Sequence, residues 1–331
     1  MKPTCSIVIR AYNEAKHIGR LLTGISKQSL ADVQVILVDS GSSDDTVKIA
    51  RQYPVDVVHI RPEEFTFGRS LNLGVAQAKA DFVVMASAHV YPVYPDWLER
   101  LLAAFEDPQV AVAYGKQRGM ETTKYSEHMI FARWFPEESN LRQNFPFCNN
   151  ANAAIRRELW ERNAYDETLP GLEDLAWARW AQEQGYLNAY VAEAEVIHVH
   201  NETWRGVYNR YRREGMAFKQ IYPQETFSLG DLVRLWFGNV NSDLRAASRQ
   251  GVLAAQWNNI VRFRWNQFWG TYQGYNRSGP LTWQLKQAFY YPQTQFSTAQ
   301  NRREVDPIQY TEGGDRMHYR EDATTSNEGQ P

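Results

Sequence analysis

The fold is decided by two stretches of sequence, Cys5-Ser-Ile-Val-Ile-Arg-Ala-Tyr-Asn-Glu14 and Val33-Gln-Val-Ile-Leu-Val-Asp-Ser-Gly-Ser-Ser-Asp-Asp45. Each begins as an apolar run that predicts a buried strand, and each ends in polar residues. Between them, apolar residues at positions 18, 21, 22 and 25 recur at helical spacing. Two buried strands joined by a helix are typical of a parallel βαβ unit.

The alternation of strand and helix continues to about residue 200. Strands are predicted at 55–60 and 81–86, and helices at 70–78 and 95–106. The pattern predicts an α/β fold with a mostly parallel sheet and helices on both faces. Ligands of such sheets lie beyond the carboxyl ends of the strands, so we expect functional residues there.

Composition excludes several classes of protein. The chain has 331 residues, a net charge of −2 and 43% hydrophobic residues, which suits a globular core and argues against a nucleic-acid binder. Two cysteines argue against a disulfide scaffold, so we predict a reduced, cytoplasmic protein. No signal peptide or spanning segment is visible. No glycine-rich phosphate loop follows the first strand, which argues against a dinucleotide oxidoreductase or a P-loop kinase.

The pattern changes after residue 200, where strand signals fade and helices are predicted at 229–240 and 246–269. Residues 201–280 hold 11 Arg or Lys against 5 Asp or Glu, and six of the 11 Trp lie between 204 and 283. We predict an α/β domain over 1–200, a helical, aromatic and basic extension over 201–300, and a disordered polar tail over 301–331.

Three interpretations of the extension stay open. Its first arginines and aromatics, from Trp204 to Arg213, are suited to close over a bound anion. The arginine- and aromatic-rich segment 260–269 suits an anionic membrane surface or a lipid-linked ligand. The third interpretation is an ordinary helical subdomain or an oligomer contact.

Five matches in fixed order resemble the family 2 glycosyltransferases, which have the GT-A fold. The first is the pair of opening stretches, and the other four are Gly68-Arg-Ser-Leu-Asn-Leu-Gly74, Asn149-Asn-Ala-Asn-Ala-Ala-Ile-Arg-Arg157, Tyr165-Asp-Glu-Thr-Leu-Pro-Gly-Leu-Glu-Asp174 and Val196-Ile-His198. The resemblance implies a hexosyltransferase-type enzyme that moves a sugar from a nucleotide-sugar, UDP-linked, to an acceptor hydroxyl with inversion. A saccharide, a lipid-linked sugar or a small molecule are all possible acceptors.

The resemblance also implies which residues form the site. Asp174, beside Glu173, would be the general base, because the acceptor hydroxyl must lose a proton as it attacks. Trp177 and Trp180 would shield this carboxylate, and Asp39 would contact the nucleoside unless it only caps a helix. The residues expected to bind the nucleotide-sugar are Ala11, Tyr12, Asn13, Glu14, Asp39, Ser40, Arg69, Ser87 and Ala88. Those expected to bind sugar or acceptor are Asn150, Asn152 and Trp177.

The sequence departs from the family at the end of the fourth strand. The family commonly places Asp-x-Asp there to hold a divalent cation against the diphosphate, whereas this chain has Ser87-Ala88-His89. Histidine is a good ligand for Mn²⁺. We therefore predict a site for an Mn²⁺-like ion formed by His89, His198 and His200. In the alternative, His89 donates a hydrogen bond to phosphate and no metal is needed.

Two other functions stay open. A sugar nucleotidyltransferase would use a similar sheet, but it should carry a glycine-rich basic loop where this chain has Tyr12-Asn13-Glu14. A non-catalytic nucleotide-sugar-binding or scaffold protein would explain the missing acidic pair at 87–89. The expected location is cytoplasmic, with peripheral contact to the inner face of the membrane possible through 204–283.

Overall fold

The computed structural model describes residues 2–276 and residue 308. One twisted sheet carries the strands of this part of the chain, and helices cover both of its faces. The strands are β1 (Cys5–Ala11), β2 (Val33–Asp39), β3 (Val55–His59), β4 (Phe82–Ser87), β5 (Val90–Pro92), β6 (Val110–Arg118), β7 (Asn140–Gln143), β8 (Asn152–Arg156) and β9 (Leu187–His198). The helices are α1 (Ile18–Ser26), α2 (Thr46–Ala50), α3 (Phe67–Ala76), α4 (Trp97–Ala103), α5 (Tyr125–Trp134), α6 (Arg157–Arg162), α7 (Glu173–Glu183), α8 (Trp204–Ile221), α9 (Leu229–Arg249) and α10 (Leu253–Asn276).

The predicted strands pair in parallel in the order β3-β2-β1-β4. In this register Ala11 lies opposite Asp39, and Arg10 lies opposite Ser87. The polar residues that follow β1, β2 and β4 therefore meet at one edge of the sheet, as the sequence predicts.

Side chains of β1 alternate between two cores, as the pleat of a strand requires. Ile7 and Ile9 are buried on the face that α1 and α4 cover. Val8 is buried on the other face, against α3 and α7. Gly74 of α3 lies directly over Val8, where any Cβ would overlap the valine side chain. The glycine lets α3 approach β1 closely.

The rest of the sheet is largely antiparallel, which the sequence pattern did not indicate. Strand β8 runs antiparallel to both β4 and β6, and β9 runs parallel to β6 but antiparallel to β5 and β7. Val90 pairs with His198 across β5 and β9. This pairing places His89 beside the end of β9 although more than 100 residues separate them in sequence.

The C-terminal part of the described chain is helical, as predicted, but the break between α9 and α10 lies further along. Helix α9 begins with a reciprocal capping box between Ser228 and Asp231 and continues to Arg249. Gly251, with φ at +71°, forms the turn into α10. The division at residue 200 stays a prediction, and residues 277–300 of the predicted extension and the tail at 301–331 lie outside the described residues, apart from Ile308.

A buried ion pair ties the last two helices to α5. Arg264 of α10 donates two hydrogen bonds to Asp243 of α9, at 2.8 and 3.0 Å, and both side chains are almost fully buried. The hydroxyl of Ser126, on α5, donates to the same carboxylate at 2.6 Å. Because the charges are paired and hydrogen-bonded, their burial is tolerated. Within the described ranges, no helix is long and apolar enough to cross a membrane.

Candidate active site

A cavity of about 380 Å³ lies at the edge of the sheet where β1, β2 and β4 end. The N-terminus of α7 and the side of α8 border it opposite the strand ends. It contains a carboxylate end, formed by Glu173 and Asp174, and a histidine end, formed by His89, His198 and His200. The predicted site residues that line it are Ala11, Tyr12, Glu14, Ser40, Ser87, His89, Asn150, Glu173, Asp174, His198 and His200.

The Asp174 carboxylate is oriented by backbone groups. Its Oδ2 accepts a hydrogen bond from the Asn150 N–H at 3.0 Å, and its Oδ1 accepts one from the Leu175 N–H at 2.8 Å. Burial, reinforced by the neighbouring negative charge of Glu173, raises the pKa of Asp174 to about 7. A carboxylate with this pKa exchanges protons near neutral pH, as a general base must.

Leu172, directly before the acidic pair, has a left-handed backbone with φ at +56°. Such a conformation costs a non-glycine residue free energy, of order 1 kcal/mol or more, and is found most often at functional sites. Here it turns the chain so that Glu173 and Asp174 both open α7 and both line the cavity.

Arg10 belongs to the carboxylate end, and the sequence analysis missed it. Its guanidinium donates to Glu173 Oε1 at 3.1 Å and lies 4.7 Å from the centre of the Phe67 ring. The Arg10 charge offsets part of the Glu173 charge and lowers the pKa of Asp174, but burial and the Glu173 charge outweigh it. The available signal was an arginine near the end of an otherwise apolar strand.

The side chain of Asn150 is buried next to Asp174. Its Oδ1 lies 3.4 Å from the Tyr165 hydroxyl, which donates to it. Among the residues that the structure describes, the buried Nδ2 amide has no hydrogen-bond partner. A buried donor left unsatisfied costs about 1–3 kcal/mol, so a bound hydroxyl that accepted from it would remove this cost.

The three histidines share one arrangement, in which Nδ1 contacts a side-chain oxygen. The Nδ1 atoms of His89, His198 and His200 each lie 2.7 Å from an oxygen. The acceptors, in the same order, are Glu14, Gln117 and Glu127. These contacts fix the rings and leave each Nε2 directed away from its oxygen partner.

The Nε2 atoms of His198 and His200 face one another at 3.1 Å. The His89 ring stacks on His198 with centroids 5.2 Å apart, but the His89 Nε2 contacts the Ser87 hydroxyl at 3.2 Å. Two of the three rings therefore converge through Nε2. No group of three or more metal-ligating side chains is assembled anywhere in residues 2–276, so the predicted three-histidine set is not formed as such.

The surroundings of His89 and His198 shift the pKa values of the two rings in opposite directions. Burial lowers the pKa of His89, but the charge and hydrogen bond of Glu14 outweigh it and raise that pKa above its ordinary value. Burial, with the nearby His200 and His89, holds the pKa of His198 well below its ordinary value. His89 therefore favours the charged imidazolium, and His198 favours the neutral ring.

Glu127 is a second carboxylate that the sequence did not single out. Burial would raise its pKa, but Arg210 and His200 hold it at about 2. Arg210, from α8, donates to Glu127 at 2.6 Å and to Glu202 at 2.8 Å, and it lines the cavity. These contacts place Arg210 at the cavity wall, and a role of the α8 arginines at a bound anion stays a prediction.

Two residues predicted to bind sugar or acceptor do not reach the cavity. Asn152 is fully buried on β8, where Nδ2 donates to two backbone carbonyls and Oδ1 accepts from Trp97 Nε1. Trp177 packs into the core on the sheet side of α7, and its Nε1 donates to the Asn163 carbonyl at 2.7 Å. Neither side chain lines the cavity, so the structure gives no contact there to either of these predicted residues.

Other predicted contacts act on the protein itself. The Arg69 guanidinium lies 3.3 Å from Glu167 and does not border the cavity, and Ala88 is buried in the core. The Asp39 carboxylate is buried and accepts from the Gly41 and Ser42 N–H groups. A direct nucleoside contact by Asp39 stays a prediction.

The Asn13 side chain also shapes the loop after β2, by accepting from the backbone N–H groups of Ser43 and Asp44. His17, which the sequence analysis did not nominate as a site residue, is buried at the cavity wall and contacts the Tyr91 hydroxyl. Its position three residues after Glu14, in the turn that leaves β1, was the available signal.

The cavity lies beyond the strand ends, where enzymes with an α/β sheet bind their ligands, and a carboxylate of raised pKa lines it. Comparison with known proteins gives the family. The model of the family described as "Glycosyl transferase family 2" matches residues 6–163. The chain is 30% identical over 234 residues to the O-antigen chain rhamnosyltransferase WbaN of Salmonella anatum, covering 65% of this chain and 72% of that protein. It is 28% identical over 225 residues to the O-antigen chain rhamnosyltransferase RfbN of Salmonella typhimurium, covering 64% and 71%. The chain belongs to glycosyl transferase family 2 and is a glycosyltransferase.

A solved structure gives the fold. The chain is similar to the mannosyltransferase PcManGT from Pyrobaculum calidifontis, with a TM-score of 0.60 and 17% identity over 84% of this chain and 89% of that one. The likeness confirms the predicted GT-A-like α/β fold. The PcManGT structure is a complex with GDP-Man and Mn²⁺.

Proposed function

We propose that this glycosyltransferase moves a sugar from a nucleoside diphosphate sugar, UDP-linked, to an acceptor hydroxyl with inversion, and that Asp174 is the general base. The observation that carries the proposal is the Asp174 carboxylate itself. It lines the cavity, it is held by two backbone N–H groups, and its pKa lies near 7.

The reaction is a single displacement. The acceptor oxygen forms a bond to the anomeric carbon, the bond from that carbon to the diphosphate oxygen breaks, and the acceptor proton passes to Asp174. Attack from the face opposite the leaving group inverts the configuration. General-base assistance of this kind contributes about 10²–10⁴-fold in rate.

The leaving diphosphate faces the histidine end. Ser87, His89 and Arg210 line that part of the cavity, and the Glu14 carboxylate favours the charged form of His89. Positive charge at this place stabilises the diphosphate as it departs. The nucleoside lies along the turn from Ala11 to Glu14 and beside Ser40. Asp39 and Asn13 hold the loop that follows β2 by accepting hydrogen bonds from its backbone.

A divalent cation, Mn²⁺ in preference to Mg²⁺, fits the converging pair of His198 and His200. Their Nε2 atoms face one another while their Nδ1 atoms contact Gln117 and Glu127, the arrangement usual for metal-binding histidines. The complex of PcManGT with Mn²⁺ supports the same view. When bound, the cation would neutralise charge on the diphosphate. In the alternative, the His89 imidazolium and Arg210 supply that charge alone.

The sugar is proposed from the relatives and the acceptor contact from the cavity. Because the WbaN and RfbN relatives are O-antigen chain rhamnosyltransferases, a 6-deoxyhexose is the first sugar to test, and a growing polysaccharide the first acceptor. Asn150 Nδ2 would donate to a hydroxyl of the sugar or acceptor. We further propose that the α/β part, 1–200, carries the reaction, while the extension, 201–300, supplies Arg210 from its helix α8. The protein acts in the cytoplasm or on the inner face of the membrane.

A donor panel tests the proposal. The protein is incubated with UDP-, GDP- and dTDP-sugars, with and without EDTA followed by Mn²⁺, and released nucleoside diphosphate is measured. Release from one donor, and a product of inverted anomeric configuration by NMR, are expected. Pyrophosphate release from a sugar phosphate and a nucleoside triphosphate would identify a nucleotidyltransferase instead. Tight donor binding without release would identify a binding protein.

Asn150 and Asn152 form a matched pair for the acceptor contact. We expect Asn150→Ala to raise KM for donor or acceptor about tenfold, the loss of one or two hydrogen bonds, and to lower the melting temperature slightly, because the buried Tyr165 hydroxyl loses an acceptor. Asn152→Ala should lower the melting temperature more and leave KM unchanged, because it leaves two backbone carbonyls and the Trp97 N–H unpaired and lies outside the cavity. The same KM for Asn150→Ala and wild type would contradict the proposed contact.

A further inference from the structure

Helices α9 and α10 present an apolar surface to solvent. Five of its residues are large, apolar and between 45% and 64% exposed. They are Leu229, Val233 and Phe237 of α9, and Trp257 and Trp265 of α10. Monomeric soluble proteins seldom expose so many large apolar side chains on one pair of helices, and such a surface marks an interaction site.

Ring contacts show that the surface is continuous across the two helices. Trp236 of α9 meets Trp265 of α10 edge to face at 6.0 Å. Trp265 stacks on Trp269, and Trp269 stacks on Tyr272, with both centroid distances at 5.7 Å. Leu229, Val233 and Phe237 recur at helical spacing with Trp236 and so lie on the same face of α9. We call this surface the aromatic face; its residues are Leu229, Val233, Trp236, Phe237, Trp257, Trp265, Trp269 and Tyr272.

The structure corrects the segment that the sequence favoured for membrane contact, residues 260–269. Ile260, Phe263 and Arg264 of that segment are buried in the helix packing. Only Trp265, with Arg262 beside it, is exposed there. The exposed apolar surface is therefore formed mainly by α9, which lies within the predicted range 204–283 but outside the segment 260–269.

The charge of the two helices identifies the occupant. Residues 229–276 contain five Arg, two Asp and no Lys or Glu. Arg264 and Asp243 neutralise one another in the interior, which leaves four Arg against Asp231. Arg234 and Arg262 lie three residues from Phe237 and Trp265, on neighbouring helix positions. Exposed tryptophan, phenylalanine and leucine flanked by arginine match an anionic lipid surface, in which rings enter the headgroup region and guanidinium groups meet phosphate.

We propose that the aromatic face docks on an anionic membrane surface and holds the enzyme there peripherally. The absence of a helix suited to cross a membrane in residues 2–276 is compatible with docking by a surface. The proposal is independent of the donor and of the catalytic residues.

The test uses a thiol probe in the full-length chain. Both native cysteines, Cys5 and Cys148, are buried, so Phe237→Cys gives one reactive site for an environment-sensitive maleimide. Phe145→Cys is the matched control, since Phe145 is also an exposed phenylalanine but lies far from the aromatic face in sequence. Vesicles of phosphatidylcholine alone are compared with vesicles that also contain phosphatidylglycerol, at low and high salt.

We expect the emission of the probe at 237 to shift to the blue with anionic vesicles at low salt, and the probe at 145 to be unchanged. Trp265→Ser should weaken vesicle partitioning about tenfold, because a large apolar contact is lost. Arg234→Gln should weaken it about fivefold. Arg142→Gln, which removes another exposed arginine paired with an aspartate, should have no effect.

Three results would overturn the proposal. The first is no blue shift at 237 with anionic vesicles at low salt. The second is a shift that depends on protein concentration without vesicles, accompanied by dimers in sedimentation velocity, since a second copy would then be the occupant. The third is a thiol at 237 that reacts much more slowly than one at 145 in monomeric protein, since another part of the same chain would then cover the face.

Discussion

The carboxylate end and the histidine end of one cavity are built in different ways. At the carboxylate end, Asp174 is held by backbone N–H groups, and its acidic neighbour Glu173 is compensated by one arginine. At the histidine end, side chains from β9, α5 and the strand ends hold one another through imidazole–oxygen contacts. The first end sets the pKa of a single group, and the second, in our proposal, provides several groups that contact the departing diphosphate.

The difference indicates how the two ends should respond to substitution. A general base is a single carboxylate that accepts the acceptor proton, so its loss should remove most of the activity. The anion site is a set in which each member carries part of the charge, so losses there should be smaller and should fall on donor binding as well as on rate. The predictions below test this contrast from the largest effect to the smallest.

Asp174→Asn is expected to have the largest effect. The amide cannot accept the acceptor proton, so kcat should fall by about 10³-fold while the donor dissociation constant stays within about twofold. Single-turnover kinetics and calorimetry with nucleoside diphosphate measure the two quantities. Asp166→Asn, in the exposed loop before α7, is the control and should keep wild-type kcat. A kcat for Asp174→Asn within tenfold of wild type would refute the base assignment.

His198→Asn and His200→Asn should each reduce kcat/KM by about 10–100-fold, the range for one hydrogen bond to a charged group, with part of the loss in donor affinity. Donor titrations under matched Mn²⁺ and EDTA conditions separate binding from rate. His128→Asn, on α5 outside the cavity, is the control. If either variant abolished kcat without changing donor affinity, the proposed difference between the two ends would be contradicted.

The pH dependence of the rate tests the electrostatics of the carboxylate end. Because the base acts deprotonated and its pKa is about 7, kcat should rise with pH through about 7 in the wild type. Glu173→Gln removes a negative neighbour, so the Asp174 pKa should fall and the midpoint should move to lower pH. Arg10→Gln removes a positive neighbour, so the midpoint should move to higher pH. Midpoints that move in the same direction in both variants would contradict this account.

The fold and the carboxylate end could be predicted from sequence because their signals are local. Apolar runs ending at Arg10, Asp39 and Ser87 define parallel strand ends, and Glu173 with Asp174 lies inside a compact motif. The partners of the histidines could not be predicted. Gln117 and Glu127 lie 81 and 73 residues from His198 and His200, and only the β6–β9 pairing and the position of α5 bring them together.

Asn150 and Asn152 illustrate the same limit at shorter range. The sequence shows a cluster of asparagines but not where the strand begins. Asn150 lies in the turn before β8 and reaches the cavity, whereas Asn152 is the first residue of β8 and bonds to the neighbouring strands. Two residues of one type, two positions apart, therefore differ in their contacts because the strand begins at the second of them.

Arg69→Gln is expected to have the smallest effect. The guanidinium is half-exposed, pairs with Glu167 and does not border the cavity, and exposed ion pairs contribute about 0–1 kcal/mol. Donor KM should change by less than about twofold in steady-state assays, and the melting temperature by little. A tenfold rise in donor KM would instead indicate that Arg69 contacts the diphosphate and belongs to the histidine end.

Ser126 and Glu127 are successive residues of α5 with different partners. Ser126 bonds to the buried Asp243–Arg264 pair between α9 and α10, while Glu127 holds His200 and Arg210 at the cavity. Local opening of α5 would break both sets of contacts at once, so α5, the last two helices and the histidine end form one cooperative unit of unfolding. Their slowest amide protons should exchange with deuterium at a common rate. That rate would report the integrity of the cavity wall and of the α9–α10 pair together.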